Sequence, residues 1–225
     1  MKRIFQLIDT NVGLWNIFDL FKKERKEKIK PLITISREFG SSGSIIAQNV
    51  AKKLGRPWRL YHEQIVDQIA KETLLDKTVI KEVDESKMPF MEEMIDDFFG
   101  VQRLSLNSYW KHLSKILLSF KKRGYAIIVG RGGEFIFPDT LNIRILGDTD
   151  YRIKTIMKHK KISQEKAKEM IELADKKRVE FTRFLFKHDP RKAHHYDLTM
   201  RISDEFSPQE AVHIIVNVAK RRFKL

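Results

Sequence analysis

One stretch constrains the fold more than any other. Leu32-Ile33-Thr34-Ile35-Ser36 is short, apolar and β-branched, and reads as a buried strand. Arg37-Glu38-Phe39-Gly40-Ser41-Ser42-Gly43-Ser44 follows, with two glycines and three serines after the strand. An amphipathic helix then runs to Lys53-Leu54-Gly55. Strand, glycine-rich turn and helix form a phosphate-binding loop, because glycines admit a close anion and the first helical amides point at it. The usual triphosphate loop, G-x-x-x-x-G-K-[ST], also demands a lysine. With the glycine run ending at Ser42 that position is Gly43; with the run starting at Gly40 it is Ile46. Neither alignment supplies the charge.

A second loop repeats the plan. Ile127-Ile128-Val129 meets Gly130-Arg131-Gly132-Gly133, so an arginine sits inside a glycine turn at a strand end. Arginine offers a rigid two-donor fork to phosphate. Arg37, at the entrance of the first loop, is the candidate for the missing lysine's charge. Ser44 is placed to cap the helix, or to reach a phosphate or a magnesium-bound water.

Strand patterns recur at Trp58–Tyr61, Tyr125–Val129, Asn142–Leu146 and Tyr196–Ile202. Helical patterns lie between them at 63–72, 77–86, 105–122, Tyr151–His159 and Gln164–Phe186. A closing helix spans Pro208–Arg222, with Ser207 and Glu210 spaced as a capping box. Alternation of this kind predicts an α/β fold: a parallel sheet of about five strands with helices on both faces and Leu32–Ser36 central. Ligands of such sheets bind beyond the carboxyl ends of the strands, where both glycine loops fall. Residues 1–30 read as an N-terminal appendage, an irregular apolar stripe followed by the charged run 22–28. A short helix packed on the domain fits it; a partner-binding or membrane-surface helix is the alternative.

The 225 residues carry a net charge of +14 and no cysteine. Disulfides and thiolate metal sites are therefore excluded, and anionic ligands are favoured. The charge is spread along the chain, which suits nucleotide phosphates, and no nucleic-acid recognition motif accompanies it. No run approaches the roughly 18 apolar residues of a membrane span. Asp9, Asn11 and Asp19 interrupt what would be a signal sequence, so the expected location is cytoplasmic.

The region 152–187 is basic. Arg152, Arg178 and Arg183 are preferred to its lysines for closing over phosphates, since charge placement does most of the work in phosphoryl transfer. Asp175 and Arg178 stand at i, i+3 and are expected to hold each other. Asp197 reads as structural. His194 and His195 are adjacent on a segment expected to be extended, where they point oppositely, so no metal ligands are assigned.

These stretches resemble the signatures of the cytidylate kinase-like proteins, a branch of the P-loop nucleoside monophosphate kinases. The first is Ile33 to Gly43 and the second Gly130-Arg131-Gly132-Gly133 with Phe135, Ile136 and Pro138. The third is Asp175-Lys176-Lys177-Arg178 with Phe181 and Phe184, and the fourth Tyr196-Asp197-Leu198 with Ser203. The likeness covers about residues 32–220. It implies a P-loop kinase fold over 31–225, with a helical acceptor-binding insertion at about 62–122 and a basic, arginine-bearing lid at about 150–190. It implies ATP and Mg²⁺ as co-substrates and a nucleoside monophosphate such as CMP as acceptor. Gly40, Ser41, Ser42, Gly43 and Ser44 would hold the donor, and Arg131, Gly132 and Asp175 the acceptor. Arg37, Arg178 and Arg183 would carry the catalytic charge. The chain departs from the family in four places: Ser42 stands for a glycine, Ser44 for an arginine, Ile45 for a common acidic residue, and His62 for an aspartate. A non-catalytic nucleotide-binding module of the same fold is the competing reading. Nucleic-acid binding ranks third.

Overall fold

The computed structural model describes residues 30–62, 119–130, 132–137 and 139–225. Five strands form one sheet: β1 Leu32–Arg37, β2 Arg59–His62, β3 Ala126–Val129, β4 Leu141–Gly147 and β5 Leu198–Ile202. All pairings are parallel, in the order β2-β3-β1-β4-β5, so β1 is central as expected. Five helices accompany them: α1 Gly43–Leu54, α2 Gly133–Ile136, α3 Thr149–Lys160, α4 Gln164–Phe186 and α5 Pro208–Phe223. This is the α/β architecture of the P-loop kinases.

Alternation along the strands divides the sheet. Ile33 and Ile35 of β1 share a face with Leu141, Ile143 and Ile145 of β4, all fully buried. Helices α1 and α5 cover that face with Ile46, Val50, Val212 and Ile215. Burying one such side chain stabilises by roughly 1.5–3 kcal/mol, so this face carries most of the stability. The other face is polar where β1 and β4 meet. Thr34 lies opposite Asn142, and Ser36 opposite Arg144. Thr34 donates to Asn142 Oδ1 at 2.5 Å. The short helix α2 lies against this face; a Cβ on Gly133 would come within 2.9 Å of Thr34 Cγ2.

Helix α5 starts where read, at Pro208, and ends one residue later than expected, at Phe223. Ser207 caps Glu210 and the Glu210 carboxylate accepts from the Ser207 amide at 2.8 Å, closing the capping box. Other boundaries move by one or two residues. Strand β2 starts and ends one residue later than expected, and β5 begins at Leu198. His194 and His195 lie in a 3₁₀ turn, Ala193–His195, that brings their rings to 4.1 Å. They therefore do not point oppositely as an extended segment would require. Asp197 is structural: it accepts from the Asn142 amide at 2.7 Å and from Arg222 at 2.8 Å, tying β4 to α5. The helical patterns at 63–72 and 77–86, most of 105–122, and the appendage fall outside the described residues.

Candidate active site

The loop after β1 turns on backbone conformations that few residues accept. Gly40 has φ +81° and Ser42 φ +61°, both left-handed. Serine there costs on the order of 1–2 kcal/mol, which glycine avoids. The serine hydroxyls turn away from the loop's mouth. Ser41 is fully buried and donates to the Glu38 carbonyl at 2.9 Å. The Ser42 hydroxyl meets the Tyr151 hydroxyl at 2.8 Å. No side chain caps the start of the 12-residue helix α1, so backbone amides are what the loop presents to a ligand.

Gly43 is required for a reason the sequence did not suggest. A Cβ at that position would stand 2.6 Å from Arg37 Cβ and 2.9 Å from its Cγ. The Arg37 stem thus packs directly on the first residue of α1, and Arg37 also lines the main cavity described below.

A brace from the α3–α4 hairpin holds the loop. Arg152, 8% exposed, donates from Nε to the Phe39 carbonyl at 2.7 Å. Its Nη1 lies 3.4 Å from Glu38, and its Nη2 pairs with Asp175. Asp175 in turn accepts from the Phe39 amide at 3.1 Å, and Glu38 accepts from the Gly147 amide at 3.1 Å. Both backbone polar groups of Phe39 are satisfied by side chains from the hairpin. The Phe39 ring packs with Ile153, Ile156, Ala167 and Ile171 in a small core of its own. Arg152 is therefore committed to the loop rather than to a ligand. Asp175 and Arg178 do not pair with each other: Arg178 donates to the Arg37 carbonyl at 3.2 Å and lies 5.6 Å over the Phe39 ring.

Beside the loop, at the carboxyl ends of β1 and β3, lies a cavity of about 460 Å³. That is within the size range of small-ligand sites. Six cationic and four acidic side chains line it, so it favours an anion. The structure brings Arg37, Gly132, Asp175, Arg178 and Arg183 together around this space. Gly40, Ser41, Ser42, Gly43 and Ser44 form the neighbouring loop, outside the cavity wall. Gly132, at φ +65°, makes room for the Phe186 ring, which a Cβ would approach to 2.1 Å. Arg131 lies outside the described residues.

Residues the sequence reading passed over complete the wall. Asp189 accepts from Arg183 at 2.6 Å and from Arg191 at 2.7 Å, holding two guanidinium groups at the rim. The Arg191 hydrogen bonds, joined by the Arg191 amide and Arg183, keep the Asp189 carboxyl well below the usual carboxylate range. Deeper, Glu134 is 5% exposed, and burial raises its carboxyl above the ordinary value. The Tyr196 hydroxyl lies 3.0 Å from Glu134 Oε1 and 2.7 Å from the Pro190 carbonyl oxygen. A phenol has one proton and the carbonyl can only accept. The phenol proton is shared between these two acceptors, and the hydrogen bonds from Tyr196 and Ser36, with the Arg144 charge, act against burial at Glu134. Burial and the neighbouring Glu134 also push the Tyr196 phenol up. Among the described residues no cluster of three or more histidine, aspartate or glutamate side chains is placed to hold a metal. None of their helices is long and apolar enough to cross a membrane.

A central parallel sheet, a glycine loop at the carboxyl end of its middle strand, and an arginine-lined cavity beside it define a protein of kinase-like fold. The family follows from sequence: residues 32–204 match the model of the cytidylate kinase-like family, and the chain belongs to it. No curated protein matches in sequence. Among solved structures, an uncharacterized protein from Eubacterium ventriosum ATCC 27560 superposes with a TM-score of 0.65 at 23% identity, covering 86% of this chain and 99% of that one. A gluconokinase from Sinorhizobium meliloti 1021 matches with a TM-score of 0.49 at 11% identity, over 88% of this chain and 98% of its own. Shikimate kinase from Acinetobacter baumannii, in complex with shikimate, matches with a TM-score of 0.46 at 10% identity, over 90% and 98%.

Proposed function

We propose that the protein is a phosphotransferase that moves the γ-phosphate of ATP to CMP or a related small acceptor. The observation that carries this reading is the adjacency of loop 40–44 to the arginine-lined cavity, with Arg37 contributing to both. The donor's phosphates would lie on the backbone amides of Gly40 to Ser44, which no side chain caps. The residues fit a magnesium ion only as a companion of the nucleotide. Magnesium keeps water and phosphate ligands and needs few carboxylates, and among the described residues no acidic cluster competes for that role. When bound, the ion would neutralise charge between the donor phosphates.

The chain's own part is placement and charge. Arg37 would stand for the missing lysine, held at the start of α1 by its contact with Gly43. Arg178 and Arg183 would face the transferred group, with Asp189 keeping Arg183 oriented. Arg131 and Gly132 would belong to the acceptor side, together with the insertion at 62–122. Asp175 would serve the site indirectly, through Phe39 and Arg152. The α3–α4 hairpin would form the lid region.

A coupled ADP-release assay with ATP and Mg²⁺, run across a panel of monophosphates, tests the reading. Turnover with CMP or a close analogue is the expected result. Arg37→Ala should weaken ATP binding about tenfold to hundredfold, the loss expected of one charge-assisted phosphate contact. Gly43→Val should act in the same direction by displacing Arg37. The second reading, a nucleotide-binding module without transfer, is favoured by the absent lysine. ATP binding by calorimetry without ADP release would select it.

A further inference from the structure

The cavity floor holds a buried arginine that, among the described residues, forms no ion pair. Arg144 sits in the middle of β4, on the polar face of the sheet, and is 7% exposed. Its Nη1 donates to Ser36 Oγ at 3.1 Å and lies 3.4 Å from the Tyr196 hydroxyl. The Tyr196 ring stacks 5.6 Å beneath the guanidinium carbon. Among the described residues no carboxylate lies within ion-pair distance of Arg144, and Nε and Nη2 have no hydrogen-bond partner. The side chain nevertheless lines the cavity. Glu134 stands nearby on the same floor, where the Arg144 charge acts on its carboxyl, but it lies outside ion-pair distance.

A guanidinium removed from water is costly unless a counter-charge and hydrogen bonds are supplied. The other buried arginine among the described residues, Arg152, has both, through Asp175 and Glu38. Arg144 lacks them on one edge, and that edge is the two-donor fork that matches an oxyanion. A neutral nucleobase edge would satisfy the hydrogen bonds but leave the charge. We propose that Arg144 is the deep anchor of the acceptor site and takes an oxyanion of the ligand on Nε and Nη2. Ser36 and Tyr196 fix the guanidinium plane from the opposite edge. The ligand class is then a small molecule carrying a phosphate monoester or a carboxylate. This rests on the cavity being the acceptor site, as proposed above.

The test measures binding directly, with no ATP or magnesium present, so that it does not depend on phosphoryl transfer. Two matched pairs are titrated by calorimetry: CMP against cytidine, and D-gluconate against sorbitol. The expected result is that the charged member of one pair binds tenfold to hundredfold tighter than its neutral partner, the range for one charge-assisted contact. The pair that shows the preference identifies phosphate or carboxylate as the source. Arg144→Gln should bring the charged probe to the level of the neutral one. Arg144→Lys, which keeps the charge without the fork, should retain part of the preference. No preference in either pair, or a preference that survives Arg144→Gln, overturns the proposal. Wild-type crystals soaked with the preferred probe give a reading independent of the variants' folding. Oxyanion density against Nε and Nη2 supports the assignment, and density only elsewhere in the cavity overturns it. Absence of ADP release would count against phosphoryl transfer alone and leave the Arg144 result standing.

Discussion

The two faces of the sheet divide the work of the molecule, although the same strands build both. On one face Ile33, Ile35, Ile143 and Ile145 are fully buried under α1 and α5. On the other, at the same registers, stand Thr34, Ser36, Asn142 and Arg144, and beyond them Glu134 and Tyr196. Successive side chains of a strand point oppositely, so one strand can feed a dry core and a polar floor without compromise. The apolar face supplies stability. The polar face spends some of it on buried hydrogen-bonding groups that line a cavity.

The comparison breaks most easily on the apolar side. Ile35→Ala removes a fully buried side chain from the central strand. It should lower unfolding free energy by about 2–5 kcal/mol in a urea titration. A loss no larger than that of a surface residue would show that stability does not reside on this face. On the polar side, Thr34→Val keeps shape but deletes the hydroxyl that donates to Asn142. Thr140 Oγ1 still donates to Asn142 Oδ1, at 3.3 Å. The expected loss is about 1–2 kcal/mol, and an effect as large as that of Ile35→Ala would erase the contrast between the faces.

Glu134→Gln sharpens the comparison through pH. The folded-state pKa of Glu134 is raised above 4.5 by burial. Below that ordinary value both folded and unfolded chains hold the proton, and nothing is lost. As pH rises from 4.5 through the folded value, the unfolded chain releases a proton that the native state retains, so native stability declines. Glutamine keeps an oxygen to accept from Tyr196 but has no proton to lose. The stability of Glu134→Gln relative to wild type should therefore grow from pH 4 upward and then level off. A difference independent of pH would mean that the Glu134 carboxyl titrates alike in the native and unfolded states. Ser42→Gly should do least. Relief of a left-handed serine, about 1–2 kcal/mol, is set against loss of the Tyr151 contact, about 0.5–1.5 kcal/mol. A melting temperature within a few degrees of wild type is expected; a large fall would mean that the Ser42–Tyr151 contact dominates the loop.

Much of the frame was legible in the sequence. The strand–loop–helix unit, the central place of β1, the extent of α4 and the capping box of α5 all rest on local patterns. Part of the polar face was legible too, since Thr34 and Ser36 alternate with isoleucines in β1, as Asn142 and Arg144 do in β4. That period-two pattern is the signal by which Arg144 can be found. Nothing local marks Asp189 as the holder of Arg183 and Arg191, or Tyr196 as the partner of Glu134. Asp175 and Arg178 show the opposite case. Helical spacing proposed a pair, but Arg152 and the Phe39 backbone, well over a hundred residues away in the latter case, offered stronger partners.

By itself the sequence determined which segments are strands and helices, where an anion can meet backbone amides, and which family the chain resembles. These follow from periodicity, glycine placement and charge type, all of which act over a few residues. Only the tertiary structure decided which arginine is a brace and which faces the cavity. Arg152 and Arg144 have the same side chain; one is closed on every nitrogen by Glu38, Asp175 and Phe39, and the other keeps one edge open. That difference depends on partners brought from distant parts of the chain, and it is set when the sheet and the α3–α4 hairpin pack together.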